Sequence, residues 1–96
     1  MKNNSYKIGA LIAIYETIIN KNGKSTTIFS NSMRYPAKHL PYLESMARKC
    51  INYPKYKQAL TKAFSEINDI PTSIPFDEIG EVTLGYYHKH HELNCK

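Results

Sequence analysis

The segment from residue 5 to residue 21 constrains the fold more than any other part of the chain. Its apolar residues recur at the i, i+3, i+4 and i+7 spacing of an α-helix, at Ile8, Leu11, Ile12, Tyr15 and Ile18. Further apolar residues widen this stripe over much of the helix surface, at Ala10, Ala13, Ile14 and Ile19. A helix that is apolar on most sides needs cover on most sides. We therefore predict a helix that is buried centrally or covered by a partner protein.

Three further segments show helical spacing. The second helix is predicted to run from Pro36 or Pro41 to Ile51, because both prolines cannot occupy the first turn of one straight helix. The third helix is predicted over about 54–69 and the last over about 75–92.

Each of these helices has a predicted core face. For the second helix the face comprises Leu40, Leu43, Ala47, Cys50 and Ile51. For the third it comprises Tyr56, Leu60, Ala63, Phe64 and Ile67, and for the last it comprises Phe76, Ile79, Val82 and Tyr86. Gly85 inside the last helix indicates close packing against a neighbour.

Between the first two helices, residues 22–35 read as a loop with one helical turn near 27–32. No stretch alternates apolar and polar residues for long enough to indicate a strand. With 96 residues, the chain is large enough for one small domain but not for two. The sequence therefore predicts one all-α domain over residues 1–96, a bundle of four principal helices plus a short helical turn.

The charge balance of the chain is basic. Thirteen lysines and arginines against eight acids give a formal charge of +5, which favours nucleic acid or another polyanion as a partner. From residue 34 to residue 62, basic residues are interleaved with tyrosines, and the candidate nucleic-acid contacts are Arg34, Lys38, Arg48, Lys49, Lys55, Lys57 and Lys62. Lysine and arginine attract phosphates, and tyrosine can stack on unpaired bases. The alternative is a solvated face with half-buried tyrosines.

The sequence contains no complete set of catalytic or metal-binding residues. His88 and His91 are i, i+3 neighbours and Cys95 follows at i+4, a spacing that could hold zinc, but a fourth ligand is missing unless Cys50 packs against them. Cys50 lies at an apolar helical position, which favours burial over catalysis. We therefore predict a protein without enzymatic activity, bound metal or cofactor.

The chain contains no segment that predicts a membrane anchor or an exported protein. The longest apolar run covers residues 8–15, far short of the roughly 20 residues that span a bilayer. No signal peptide is recognisable, and two cysteines without a CxxC motif are typical of a reduced compartment. We expect a soluble, cytoplasmic protein with no membrane partner.

Three stretches together resemble one protein family. Residues 8–16, Ile-Gly-Ala-Leu-Ile-Ala-Ile-Tyr-Glu, are similar to the opening helix of the C-terminal domain of the type I-C CRISPR large subunit. Residues 30–43 resemble its serine-to-proline turn and the following helix, and residues 84–88 resemble its terminal Gly-Tyr-Tyr-His motif. The three occur in the family's order, and the resemblance spans about residues 7–93. In that family the domain is also made as a free small subunit by internal translation, and a chain opening just before the first helix looks like that product.

The resemblance implies a non-catalytic small subunit of a type I-C Cascade complex. Such a subunit would pack as several copies on the backbone and large subunits, and would stabilise the guide RNA–target DNA complex, in particular its displaced strand. One departure is visible after the Gly-Tyr-Tyr-His motif, where the family continues with glutamine and arginine but this chain has Lys89, His90 and His91. Lysine keeps the charge but lacks the planar fork of arginine. Two alternatives remain open: a viral or mobile-element mimic that inhibits the complex, and a stand-alone nucleic-acid-binding regulator.

Overall fold

The computed structural model describes residues 4–19, 27–67 and 69–94, and within these ranges it contains five α-helices and no strand. The helices are α1 (Asn4–Ile19), α2 (Thr27–Arg34), α3 (Pro36–Arg48), α4 (Tyr53–Ser65) and α5 (Ile79–Asn94), with a short 3-10 helix at Phe76–Glu78 before α5. The predicted all-α bundle is confirmed. α2, however, is a helix of eight residues rather than a single turn.

α1 is the central element of the bundle. It contacts α2, α3, α4 and α5, and its contact with α5 is the most extensive. Its buried residues point in every direction around the helix, at Ile8, Leu11, Ile12, Ala13, Ile14, Tyr15 and Ile18. The other helices thus provide the cover that the apolar surface of this segment requires, and α1 is buried centrally as predicted. The predicted end of the helix at residue 21 lies outside the described residues.

α1 and α5 cross with their backbones in contact. A Cβ atom added to Gly85 would collide with the backbone carbonyl of Tyr6, and one added to Gly9 would collide with that of Val82. Each glycine therefore supplies the space for the other helix, because any larger residue would push the two backbones apart. The close packing predicted at Gly85 is confirmed.

A buried carboxylate also joins α1 to α5. Glu16 is 1% exposed, and its Oε1 atom accepts a hydrogen bond from the Tyr86 hydroxyl and contacts Nε2 of His90. Its Oε2 atom is buried without a hydrogen-bond partner among the described residues. A buried carboxylate is costly unless it is paired. Burial of Glu16 therefore depends on α5 lying against α1.

The segment between α4 and α5 is attached to the rest of the bundle by hydrogen bonds. The amide of Ile74 donates to the carbonyl of Arg34 at 2.8 Å, and the amide of Ala37 donates to the carbonyl of Pro71 at 3.2 Å. Ile74 itself is buried in the core. This segment is thereby fixed at the junction of α2 and α3.

The boundaries of α3 explain one error of the sequence analysis. The helix begins at Pro36 and includes Pro41 in its interior, which settles the choice between the two prolines. It ends at Arg48, followed by a turn in which the amide of Cys50 donates to the carbonyl of Ala47 at 2.9 Å. Because the helical register stops there, Ile51 is 80% exposed, and its assignment to the core was wrong.

Two aromatic residues were also wrongly assigned to the core. α4 ends at Ser65 rather than residue 69, and Phe64 in its last turn is 39% exposed. Phe76 is 82% exposed because the 3-10 helix breaks the α-helical register between it and Ile79. Of the four residues predicted for the core face of the last helix, two are buried, Val82 and Tyr86.

We predict that Gly85→Ala destabilises the fold, whereas Gly80→Ala in the same helix does not. The added methyl group at position 85 must separate the backbones of α1 and α5, and overpacking of this kind costs about 1–3 kcal/mol. A Cβ atom at Gly80 meets nothing within 4 Å, so alanine there gains helix propensity of up to about 1 kcal/mol. Urea unfolding midpoints of both variants measure the difference. Equal shifts in the same direction would contradict the role assigned to the crossing.

Candidate nucleic-acid interface

The seven basic residues predicted to contact nucleic acid are all exposed: Arg34, Lys38, Arg48, Lys49, Lys55, Lys57 and Lys62. Exposure alone is compatible with both interpretations of the set, phosphate binding and a solvated face. What separates them is whether the cations lie together and whether carboxylates neutralise them.

Three of these residues lie together on α4. Lys55, Lys57 and Lys62, called here the α4 lysine face, border one shallow depression of about 580 Å³. The remaining lining residues are Pro54, Gln58, Thr61 and Ser65, and none of them is acidic. Within the ranges that the structure describes, none of the three lysines forms an ion pair with a carboxylate. The depression on α4 is therefore bordered by three cations and by no acidic residue, and this arrangement can attract phosphates.

Arg48 differs from these lysines because a carboxylate holds it. Its Nε atom donates to Glu44 Oε2 at 2.6 Å, one helical turn earlier on α3. The Arg48 side chain is nevertheless 69% exposed. The carboxylate neutralises the charge of this arginine, but the ion pair also fixes the direction of its guanidinium group.

Glu44 is the centre of a hydrogen-bond network that joins three helices. Besides Arg48, it accepts hydrogen bonds from the hydroxyls of Tyr15 at 2.5 Å and Tyr53 at 2.8 Å. Burial favours the neutral acid, but the hydrogen bonds from Arg48, Tyr15 and Tyr53 outweigh it and lower the pKa of Glu44. Burial of the Tyr15 ring, together with its bond to Glu44, raises the pKa of Tyr15. Glu44 is thus held as a carboxylate and Tyr15 as a neutral donor.

A groove of about 580 Å³ opens beside this network, and we call it the α3–α4 groove. Its apolar lining comes from Ala37, Leu40, Pro41, Leu60, Phe64 and Ile70. Its polar lining comes from Tyr15, Glu44, Arg48, Tyr53, Lys57 and Thr61. Lys57 also borders the depression on α4, so the groove and the α4 lysine face are adjacent.

The other predicted cations lie elsewhere. Arg34 ends α2, with its guanidinium carbon 5.9 Å from the centroid of the Tyr35 ring, and Lys38 lies in the first turn of α3. Lys49 is the C-cap residue of α3. None of these three residues lines the depression on α4 or the α3–α4 groove. The structure therefore divides the predicted set, which sequence spacing alone could not do.

Sequence reasoning missed a second group of cations around Lys62. Together with Lys7 of α1 and Lys89 of α5, Lys62 lines a groove of about 370 Å³. Two carboxylates line it as well, and one of them, Glu92, pairs with Lys89 at 3.1 Å. The three lysines are far apart in sequence, and only the packing of α1, α4 and α5 brings them together. Because of the two carboxylates, this groove is less basic than the α4 lysine face.

Two histidines of the zinc-like spacing, His88 and His91, lie near the end of α5. Nδ1 of His88 lies 2.6 Å from the hydroxyl of Tyr6, and His91 is exposed. Cys95, the third residue of the zinc-like spacing, lies outside the described residues. Within the described part of the chain, no group of three or more His, Cys, Asp or Glu residues could hold a metal ion. Cys50 is half-buried, and its thiol lies 3.5 Å from the carbonyl of Met46.

Comparison with protein-family models, curated proteins and solved structures finds no match for the chain. No helix among the described residues is long and apolar enough to cross a membrane. The functional interpretation therefore rests on the residues and geometry of the chain itself.

We predict that the Glu44 network makes stability depend on pH. Since the pKa of Glu44 is lowered on folding, its contribution is present above its ordinary pKa of 4.5 and is lost as the pH falls through the folded-state value. Glu44→Gln should therefore be less stable than wild type at pH 7, and the difference should shrink towards pH 3. Urea midpoints across this range measure it.

The matched control is Glu66→Gln, which removes an exposed carboxylate without a side-chain hydrogen bond in the described part of the chain. This variant reports the effect of losing one negative charge. A Glu44→Gln difference that stays constant from pH 7 to pH 3, or that Glu66→Gln reproduces, would contradict the prediction.

Proposed function

We propose that the chain is a non-catalytic, nucleic-acid-binding subunit, and specifically the small subunit of a type I-C CRISPR Cascade complex in the cytoplasm. The observation that carries the proposal is the α4 lysine face, which presents three exposed lysines around one depression without an acidic residue. Uncompensated lysines bind the phosphate backbone without reading sequence. The resemblance of residues 8–16, 30–43 and 84–88 to the type I-C family supports the finer assignment.

In this role the lysines act by electrostatics. Guide pairing supplies sequence specificity, and exchange of the DNA duplex for the RNA–DNA duplex is nearly balanced in free energy. A few phosphate contacts to the displaced strand are then enough to shift the equilibrium towards the opened state. This task needs no catalytic group, metal or cofactor.

Exposed apolar side chains support a role within an assembly. Tyr42, Leu84 and Tyr87 are 53%, 48% and 63% exposed, in addition to Ile51 and Phe76. Side chains of this kind lose contact with water when a protein packs on a partner. In the proposed complex the partners are the backbone and large subunits and further copies of this chain.

Co-expression with tagged type I-C backbone subunits and guide RNA tests the assignment. The chain should copurify with the complex and increase its affinity for target DNA, while guide-RNA binding stays unchanged. Copurification that instead lowers target affinity would identify an inhibitory mimic. Failure to copurify, with tight DNA binding by the isolated chain, would identify a stand-alone regulator.

We predict that the double variant Lys55→Gln/Lys62→Gln weakens target binding by the reconstituted complex. The loss should be similar for unrelated displaced-strand sequences, because phosphates carry no base identity. If both lysines contact a single strand, the slope of log affinity against log salt should decrease by roughly 1.4 in magnitude. A titration across a salt series measures this slope.

The matched control is Arg34→Gln/Lys38→Gln, which removes the same charge at a site away from the α4 lysine face. The two residues remain predicted contacts, so this variant also shows whether they share in binding. An unchanged slope for Lys55→Gln/Lys62→Gln would show that these two lysines of α4 do not contact the phosphates of the DNA. Equal losses in both variants would show that the α4 lysine face contributes no more to the affinity than cations elsewhere on the surface.

A further inference from the structure

The α3–α4 groove has features that phosphate binding by the α4 lysine face does not require. Phosphate binding requires exposed cations only, whereas this groove has an apolar floor that includes Leu40, Leu60 and Phe64. A concave, mostly apolar site with a few oriented polar groups at its edge is the usual form of a ligand pocket. The groove therefore fits a ligand with a flat apolar part and an anionic part.

Phe64 is the aromatic group best placed for such a ligand. The Phe64 side chain is 39% exposed. Leu60, the other apolar residue of α4 in this floor, is buried. The ring of Tyr15 meets the Phe64 ring at an interplanar angle of 73° and a centroid distance of 6.4 Å. Because Tyr15 is buried and donates its hydroxyl to Glu44, this neighbour is fixed. Phe64 thus has a fixed support on one side and solvent on the other.

The charges at the edge of the groove favour an anion. Arg48 and Lys57 line it as cations, and Glu44 is its one lining carboxylate. Both oxygens of Glu44 accept hydrogen bonds, from Tyr15 on one and from Tyr53 and Arg48 on the other. The Glu44–Arg48 pair is neutral, so Lys57 leaves the edge with a net positive charge. An anionic group at this edge would meet an oriented guanidinium and an ammonium without an unoccupied carboxylate between them.

The position of the groove favours a nucleotide over an acidic peptide. Lys57 borders both the groove and the depression on α4, so the groove lies beside the α4 lysine face, within reach of a strand held there. Single-stranded nucleic acids bind through backbone contacts to cations combined with stacking of splayed bases on aromatic side chains. In the α3–α4 groove, Arg48, Lys57 and the exposed ring of Phe64 line one concave site.

We propose that the α3–α4 groove binds an unpaired base of the single strand held on α4, with the base against Phe64 and the neighbouring phosphate at Arg48 and Lys57. This inference rests on the proposed function, because it requires a strand on the α4 lysine face. It adds a base-binding site that is tolerant of sequence, since every base has a π-face. The chain then holds the strand by its bases as well as by its phosphates.

The test compares two single strands of equal length and equal phosphate number, one with normal bases and one with abasic residues in its central part. Binding of each to the full chain is measured at low salt by fluorescence anisotropy. Loss of one stacked base weakens binding by a factor of roughly 5 or more. We expect wild type to prefer the normal strand by at least this factor, and Phe64→Ala to abolish the preference.

The matched control is Phe76→Ala, which removes an exposed phenylalanine that lines none of the grooves described above. It should keep the preference of wild type. A strand carrying 2-aminopurine supplies an independent measurement, because stacking quenches its fluorescence. Quenching should occur with wild type and Phe76→Ala but not with Phe64→Ala, and circular dichroism confirms that each variant is folded.

The outcomes separate the two proposals. Equal binding of normal and abasic strands, or a preference that survives Phe64→Ala, overturns base binding and leaves the phosphate contacts of α4 intact. Binding to neither strand overturns the base site together with the proposal that the α4 lysine face holds a single strand, whereas the subunit assignment is decided by the copurification experiment. Binding of an acidic, leucine-rich peptide that depends on Phe64, with no discrimination between the strands, would assign the groove to a protein partner instead.

Discussion

The backbone contact between α1 and α5 at Gly9 and Gly85 is the constraint on which the other packing depends. Two helices can approach this closely only where neither has a side chain in the way. The approach places Tyr86 and His90 at Glu16, so the carboxylate can be buried. α5 covers one side of α1, and α2, α3 and α4 pack on its remaining apolar surface. A chain of this size has no second core to compensate if the crossing fails.

The central helix also determines the shape of the candidate site at the surface. Tyr15 belongs to the core through its ring and to the surface network through its hydroxyl, which donates to Glu44. Glu44 in turn orients Arg48, and the ring of Tyr15 supports Phe64. The direction of an exposed arginine and the position of an exposed phenylalanine therefore follow from a residue buried in α1. Loosening the core would be expected to disturb both sides of the α3–α4 groove.

Pairing, rather than the number of charges, distinguishes the surfaces of the molecule. The groove between α1, α4 and α5 contains three lysines, but its two carboxylates oppose them, and Lys89 pairs with Glu92. Arg48 is paired as well, whereas the α4 lysine face has no carboxylate in its lining. Paired surface cations contribute little long-range attraction, because their partner cancels the field. The positive charge of the chain therefore attracts anions most strongly at the depression on α4, where no carboxylate lines the surface.

Hydrophobic periodicity by itself determined the four principal helices and the need to cover α1 on most sides, and the missing side chain of Gly85 indicated the close approach of α5 to a neighbour, because these depend on local spacing and side-chain size. The sequence also named Lys55, Lys57 and Lys62 as candidate contacts, but its spacing did not show which of the seven cations lie together. Helix ends were less predictable, since a turn after α3 and a 3-10 helix before α5 break the α-helical register and expose Ile51 and Phe76. Only the tertiary structure decided that Glu44 accepts hydrogen bonds from Arg48 and from two tyrosines at once. It also decided that Lys7, Lys62 and Lys89 line the same groove. These side chains come from helices distant in sequence, and periodicity contains no information on which helices become neighbours.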